Sequence, residues 1–161
     1  MRRPAAWWLS LFTAASTLAA CGSNPVTPTM CPDIPGNVGG TGTIYGVSSF
    51  NSDRYQFSCG GDGAPDWAYS VTADFDGVYS FDTEGSSFDT VLGLMSADCS
   101  VELGCDDNSL VGNLSRITQY LDAGQTVVIV VDGANPDASG GFHIHVRYLG
   151  NASDAGTPPA P

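Results

Sequence analysis

The chain has no lysine, and its positive charge rests on 5 arginines set against 17 acidic residues, for a formal charge of -12. Arg2 and Arg3 fall in a leader that export would remove, so the mature protein would keep Arg54, Arg116 and Arg147 alone. So acidic a surface repels nucleic acid and anionic lipid head groups, and draws cations as counter-ions. The same charge also serves plain solubility. Histidine is nearly as scarce, with His143 and His145 the whole complement. The sequence contains no Gly-x-Ser-x-Gly, no His-Glu-x-x-His and no free catalytic cysteine, which leaves a nucleophile without an orienting base. A carboxylate pair at glycosidase spacing stays open only because some pair among 17 acids will lie close.

Long apolar runs are missing too. Residues 5–20 form the single extended apolar stretch, short for a membrane-spanning helix. Arg2-Arg3, the apolar run through Trp7, Trp8, Leu9, Leu11 and Phe12, and the small residues before Cys21 have the order of an export signal. The tetrad Leu18-Ala19-Ala20-Cys21 resembles the bacterial lipobox. That resemblance implies cleavage before Cys21, a diacylglyceryl thioether on its sulfur and an acyl chain such as palmitate on its amine. Several acyl chains anchor a protein stably where one is marginal. The competing reading is an ordinary secretory signal with Cys21 unmodified. Gly22 stands where the inner-membrane retention signal of enteric bacteria has Asp, which favours a lipid anchor in the outer membrane.

Cys31, Cys59, Cys99 and Cys105 remain, an even number in a chain bound for an oxidising compartment. None of their spacings is Cys-x-x-Cys, which argues for disulfides over zinc. Four cysteines permit three pairings. A local bridge from Cys99 to Cys105 across a tight hairpin is the most economical, leaving Cys31 to staple the incoming chain to Cys59.

Residues 21–40 are rich in Pro, Gly, Thr, Ser and Asn and read as a flexible tether, and residues 150–161 as a disordered tail. Between them no window places apolar residues at helical spacing, while period-two alternation recurs. Strands are expected over residues 41–46, 53–58, 66–72, 77–83, 90–96, 114–121, 126–132 and 141–149. The run Val127-Val128-Ile129-Val130-Val131 reads as a central strand covered on both faces. In the last segment Phe142, Ile144 and Val146 claim the core, which turns His143, His145 and Arg147 outward. Leu121 to Thr126, with Gly124 free to take positive φ, reads as a turn between two paired strands. The sum is an all-β fold, an antiparallel jelly-roll-like β-sandwich of eight to nine strands over residues 41–149.

Several phrases follow one another in a recognisable order. They are Tyr69-Ser70-Val71-Thr72-Ala73, Phe88-Asp89-Thr90-Val91-Leu92, Cys105-Asp106-Asp107-Asn108, Ser115-Arg116-Ile117-Thr118, Leu121 through Gly133, and Ser139-Gly140-Gly141-Phe142. The series resembles the bacterial pre-peptidase C-terminal (PPC) domain over about residues 54–148. The resemblance implies a jelly-roll-like sandwich, often appended to secreted proteases, with calcium bound by some members and collagen by some relatives attached to collagenases. In this sequence a lipid anchor, rather than a peptidase, is expected ahead of the module.

Calcium takes six to eight oxygens, which strand-end loops can supply. Asp89, Asp106, Asp107 and Asn108 are the candidate ligands, with Asp66 and Asp132 joining them if those loops converge. The alternative is that they cap turns by bonding their own backbone. His143 and His145 share a strand face and could hold a transition metal, or simply face solvent. Tyr45, Trp67 and Tyr120 could stack on carbohydrate or fill the core. The reading that follows is a non-catalytic envelope lipoprotein whose sandwich is a binding or adhesion module. Its partners would be the membrane, through Cys21, and a glycan or matrix protein, with no nucleic acid and no cofactor besides calcium. The alternatives are a purely structural envelope lipoprotein and a carboxylate-dependent hydrolase.

Overall fold

In a computed structural model the structure describes Cys31 and residues 34–151; the leader, Cys21 and the tail from residue 152 lie outside the described residues. Nine strands form: β1 (Ile34–Gly39), β2 (Gly42–Val47), β3 (Trp67–Thr72), β4 (Gly77–Asp82), β5 (Thr90–Ser96), β6 (Glu102–Asp107), β7 (Arg116–Leu121), β8 (Thr126–Gly133) and β9 (Gly141–Gly150). One sheet has the order β1-β3-β8-β5-β6 and the other β2-β9-β4-β7. All pairings are antiparallel except that of β1 with β3. The all-β sandwich expected from the alternating pattern is therefore the fold.

Alternation decides which side chains meet between the sheets. Tyr79 and Phe81 from β4, Leu92 and Leu94 from β5, Val127, Ile129 and Val131 from β8, and Phe142, Ile144 and Val146 from β9 form the main core. Trp67 stacks on Tyr69 at 5.9 Å and packs against this core.

The other side of β8 is buried as well. Val128 and Val130 join Ala68, Val91 and Phe57 in a second cluster, backed by Tyr55, Met95 and all four described cysteines. The cover comes from the segment around Tyr55 to Cys59, expected as a strand and found as a strap lying on the five-stranded sheet. The reason is local. The Asp66 carboxylate accepts the N–H groups of Arg54 (2.6 Å) and Tyr55 (2.8 Å), which a ladder would otherwise use. Phe57 and Gly60 then close a tight turn on each other. Phe57 lies directly on Gly93, where any Cβ would run into its ring.

The cysteine pairing differs from the economical expectation: the bridges join Cys31 to Cys99 and Cys59 to Cys105, with Cα separations of 6.3 and 5.9 Å. Register explains it. Cys105 stands opposite Gly93, whereas Cys99 lies in the turn that Ser96 closes with Val101. The ladder from Gly93 to Ser96 separates the two by about 10 Å, too far for a bond. Taken singly, loops of 68 and 46 residues are each worth about 4 kcal/mol in the chain-entropy model, against about 2 kcal/mol for the local loop.

Three further differences concern chain paths. Ile34–Gly39, expected within the tether, pairs in parallel with β3 at the edge of the sheet, where a strand tolerates Pro35, and the register shifts between Ile34 and Val38. Glu102–Asp107, expected as part of a turn, is strand β6. The turn from Leu121 to Thr126 joins strands of different sheets rather than a pair. Gly124 takes φ 81° there, and its N–H donates to Ala73 O at 2.8 Å.

The Gly93 contact makes a prediction. Gly93→Val should destabilise the domain by about 1–3 kcal/mol, the usual cost of overpacking. In a Phe57→Ala background, where the ring is gone, the same change should cost less. Urea melts of the four proteins check it, and strict additivity would refute the contact.

Candidate functional site

The outer end of the five-stranded sheet concentrates carboxylates. Asp107 pairs with Val91, and Val91 with Asp132, so both aspartates lie on the strap-covered face, with Asp66 at the same end of β3. Asp66 and Asp132 are fully buried. Asp132 Oδ1 accepts the Gly133 N–H at 2.7 Å, while its Oδ2 is buried with no hydrogen-bond partner. Gly61, at φ 93°, passes directly over that oxygen, and a Cβ there would collide with it. Burial pushes the Asp132 carboxyl up to about 8, assisted by repulsion from Asp66, Asp53 and Asp62 and opposed by the Gly133 N–H. Near neutrality this carboxyl holds its proton.

The four residues singled out from sequence do not converge. Asp106 and Asp107 are consecutive in β6 and face opposite ways. Asp106 Oδ2 accepts from Ser109 N (3.2 Å) and Arg116 N (2.8 Å), and Asn108 turns the chain at φ 71°. Those two are built as turn formers. Asp89 Oδ2 accepts from Asn113 Nδ2 at 3.1 Å, and its Oδ1 is buried without a partner. Asp89 is close enough to Asp107 that, after burial, its repulsion raises the Asp107 pKa, with Asp106 adding less.

Among the described residues no three carboxylate, histidine or cysteine side chains gather as a ready metal cage. The orphaned oxygens of Asp132 and Asp89 are nevertheless what a hard cation uses, with carbonyls and waters completing its shell. The residues that fit calcium are thus Asp132, with Asp66 beside it, and Asp89 with Asp107.

The outer face of the four-stranded sheet is different in kind. Register sets His143 beside Tyr45, His145 between Thr43 and Asp82, Arg116 opposite Asp82, and Arg147 opposite Ser80. Asp82 is wholly buried beneath two guanidiniums: Arg147 Nη1 bonds it directly and Arg116 Nη2 lies 3.6 Å away. Arg147 Nη2 also reaches Glu84 at 3.7 Å. His145 Nε2 lies 2.9 Å from the Glu84 carbonyl, which can only accept, so Nε2 donates there, and Nδ1 is hydrogen-bonded with Thr43 Oγ1 at 2.9 Å. With both ring nitrogens of His145 engaged, the histidine pair is not arranged as a transition-metal site.

Tyr45 is 67% exposed and meets His143 edge-on at 4.7 Å, and Tyr120 is 47% exposed. Three strand spacings across the sheet and six residues along it put the two tyrosines about 25 Å apart, at opposite corners. They are not one stacking platform, and Trp67 belongs to the core. Sequence reasoning missed Asp82. Its signal was an acid alternating with Phe81 and Tyr79, a polar residue on a strand face that also receives two arginines.

No protein-family model matches the sequence, and no curated protein matches it. Among solved structures the chain is similar to the pre-peptidase C-terminal domain of collagenase from Bacillus anthracis, at 14% identity and a TM-score of 0.50, over 74% of this chain and 100% of that one. A second structure, PliG from Aeromonas hydrophila, a periplasmic inhibitor of g-type lysozyme, gives 12% identity and a TM-score of 0.42 over 66% of this chain and 86% of that one. The first likeness defines the class: this is a β-sandwich with a PPC-like fold.

The Asp132 carboxyl makes a prediction. Its pKa is about 8 when folded against an ordinary 3.8, so the native state holds the extra proton and stability falls as pH rises through that window. In chelator, Asp132→Asn should lose this dependence and melt above the wild type at pH 8. Parallel melting curves for the two proteins from pH 4 to 8 would refute it.

Proposed function

We propose that the chain is a non-catalytic envelope lipoprotein, anchored through Cys21, that displays its sandwich as a binding or adhesion module for a glycan or matrix protein. The observation that carries this reading is the contrast between the two outer faces. The five-stranded sheet is closed by a strap bridged from Cys59 to Cys105, whereas the four-stranded sheet presents Tyr45, Tyr120, Arg116 and Arg147 to solvent. The anchor supports the same orientation. Nine residues lie between Cys21 and Cys31, so the two are at most about 35 Å apart. The strapped side, where Cys31 is bridged to Cys99, is then tied close to the membrane, and the open face belongs to the other sheet.

Two structural disulfides suit an oxidising compartment outside the cytoplasm. Replacing Cys21 by Ser should move the protein out of the membrane fraction, and a variant that stays there would overturn the anchor. On glycan and matrix-protein arrays the soluble form should be retained by at least one ligand. No retention across the array would leave a structural envelope protein in its place.

Calcium belongs to the proposal as a structural ion, with Asp132 and Asp66 as its carboxylates beneath Gly61. A ligand that binds only the folded state at a hundredfold excess over its dissociation constant stabilises by about 2.7 kcal/mol. Adding calcium after chelation should therefore raise the melting temperature of the wild type clearly and that of Asp132→Asn little. Equal shifts in both would remove Asp132 from the site.

A further inference from the structure

We propose that the outer face of the four-stranded sheet binds a carboxylate-bearing polysaccharide, an inference that rests on the binding-module reading above. Beyond the leader the chain has three arginines and two histidines, and four of these five side chains project from this one face. Arg54 alone lies on the strapped side. Asp82 and Glu84 balance the two arginines here, while Arg54 alone answers the remaining acids of the chain. An anionic polymer is thus repelled by the acidic remainder of the described surface and meets here a face whose acids are balanced and whose guanidiniums keep donors to spare.

The face is also built for the task. Buried Asp82 fixes two guanidiniums side by side, each with five N–H donors, of which only some are spent on Asp82 and Glu84. Their side chains remain 40% and 44% exposed. A planar fork held in place is the group that grips a carboxylate at two points. Tyr45, stiffened by the edge of His143, adds a fixed exposed ring at one end of the row and Tyr120 another at the far corner. Rings that are apolar on the face and polar at the tip stack on sugar C–H surfaces while their hydroxyls meet ring oxygens. Two rings about 25 Å apart with the arginines between them suit an extended chain of acidic sugars rather than a single one.

The test uses the full mature chain in detergent and three probes at matched length: polygalacturonate, its fully methyl-esterified form, and poly-glutamate. Polygalacturonate should bind, with affinity falling as salt rises, and esterification should weaken it about tenfold, the loss of a charge-assisted bond. Poly-glutamate, which has the charge without the sugar, should bind more weakly than polygalacturonate. Arg147→Lys keeps the charge over Asp82 but not the fork, and Tyr45→Ala removes only an exposed ring. Tyr45→Ala should weaken polygalacturonate binding several-fold at an unchanged melting temperature, and Arg147→Lys should weaken it several-fold at a temperature well below the melting transition of either protein, so that lost stability does not account for the loss. Equal binding of the esterified form, poly-glutamate binding as tightly, or indifference to both substitutions would overturn the proposal. Retention by a neutral glycan or a matrix protein without polygalacturonate binding would overturn it while leaving the binding module standing, whereas retention by nothing at all would remove both.

Discussion

The burial of β8 on both faces is the constraint on which the rest of the molecule depends. Five consecutive apolar residues, Val127 to Val131, leave the strand no polar side to turn to water, so the sheet that holds it must be covered twice. The second sheet covers one face. The strap covers the other, and burying side chains of this size is worth about 1.5–3 kcal/mol each. The strap has no ladder of its own, and three devices hold it: the Asp66 carboxylate on the N–H groups of Arg54 and Tyr55, Phe57 seated on Gly93, and the long-range disulfide from Cys59 to Cys105. Remove the need to cover Val128 and Val130, and neither the strap nor its cysteines has a purpose.

Among the described residues three acids are fully buried, Asp66, Asp82 and Asp132, and Asp82 and Asp132 are treated in opposite ways. On the four-stranded sheet two guanidiniums meet Asp82, so its charge is paired and the arginine stems serve as the lid. Beneath the strap no ion pair to Asp132 forms among the described residues. Its choices there are a proton or an external cation. A chain so short of basic residues has few cations with which to pair its buried acids, and two of its three described arginines stand on the face that stays open.

Much of this was legible in one dimension. The two-sided burial of Val127 to Val131 and the inward Phe142, Ile144 and Val146 against the outward His143, His145 and Arg147 follow from periodicity alone, since a strand's faces are set by counting in twos. What was not legible is what depends on register between distant strands. Glu102 to Asp107 carries no apolar alternation, and it becomes a strand because β5 offers it an edge. Tyr55 and Phe57 alternate like a strand, yet Asp66, eleven residues from Tyr55, claims the N–H groups a strand would need. The cysteine pairing failed for the same reason, because Cys99 and Cys105 are near in sequence and separated by the ladder. Asp106 and Asp107 qualify as ligands by lying at a strand end, and adjacency in the strand β6 is what places them on opposite faces.

The same logic decides where a partner can bind. A face whose hydrophobic residues are closed under a strap and whose acids want protons or cations offers an organic ligand little. A face whose buried acid orders two exposed arginines, with a half-rigid tyrosine at one edge, has its polar groups already held in place before any ligand arrives. Preorganisation of that kind lowers the ordering cost of binding. It also explains why an otherwise acidic chain would keep its few cations together: dispersed, three arginines would do no more than trim the net charge, whereas fixed side by side on Asp82 two of them form a recognition surface.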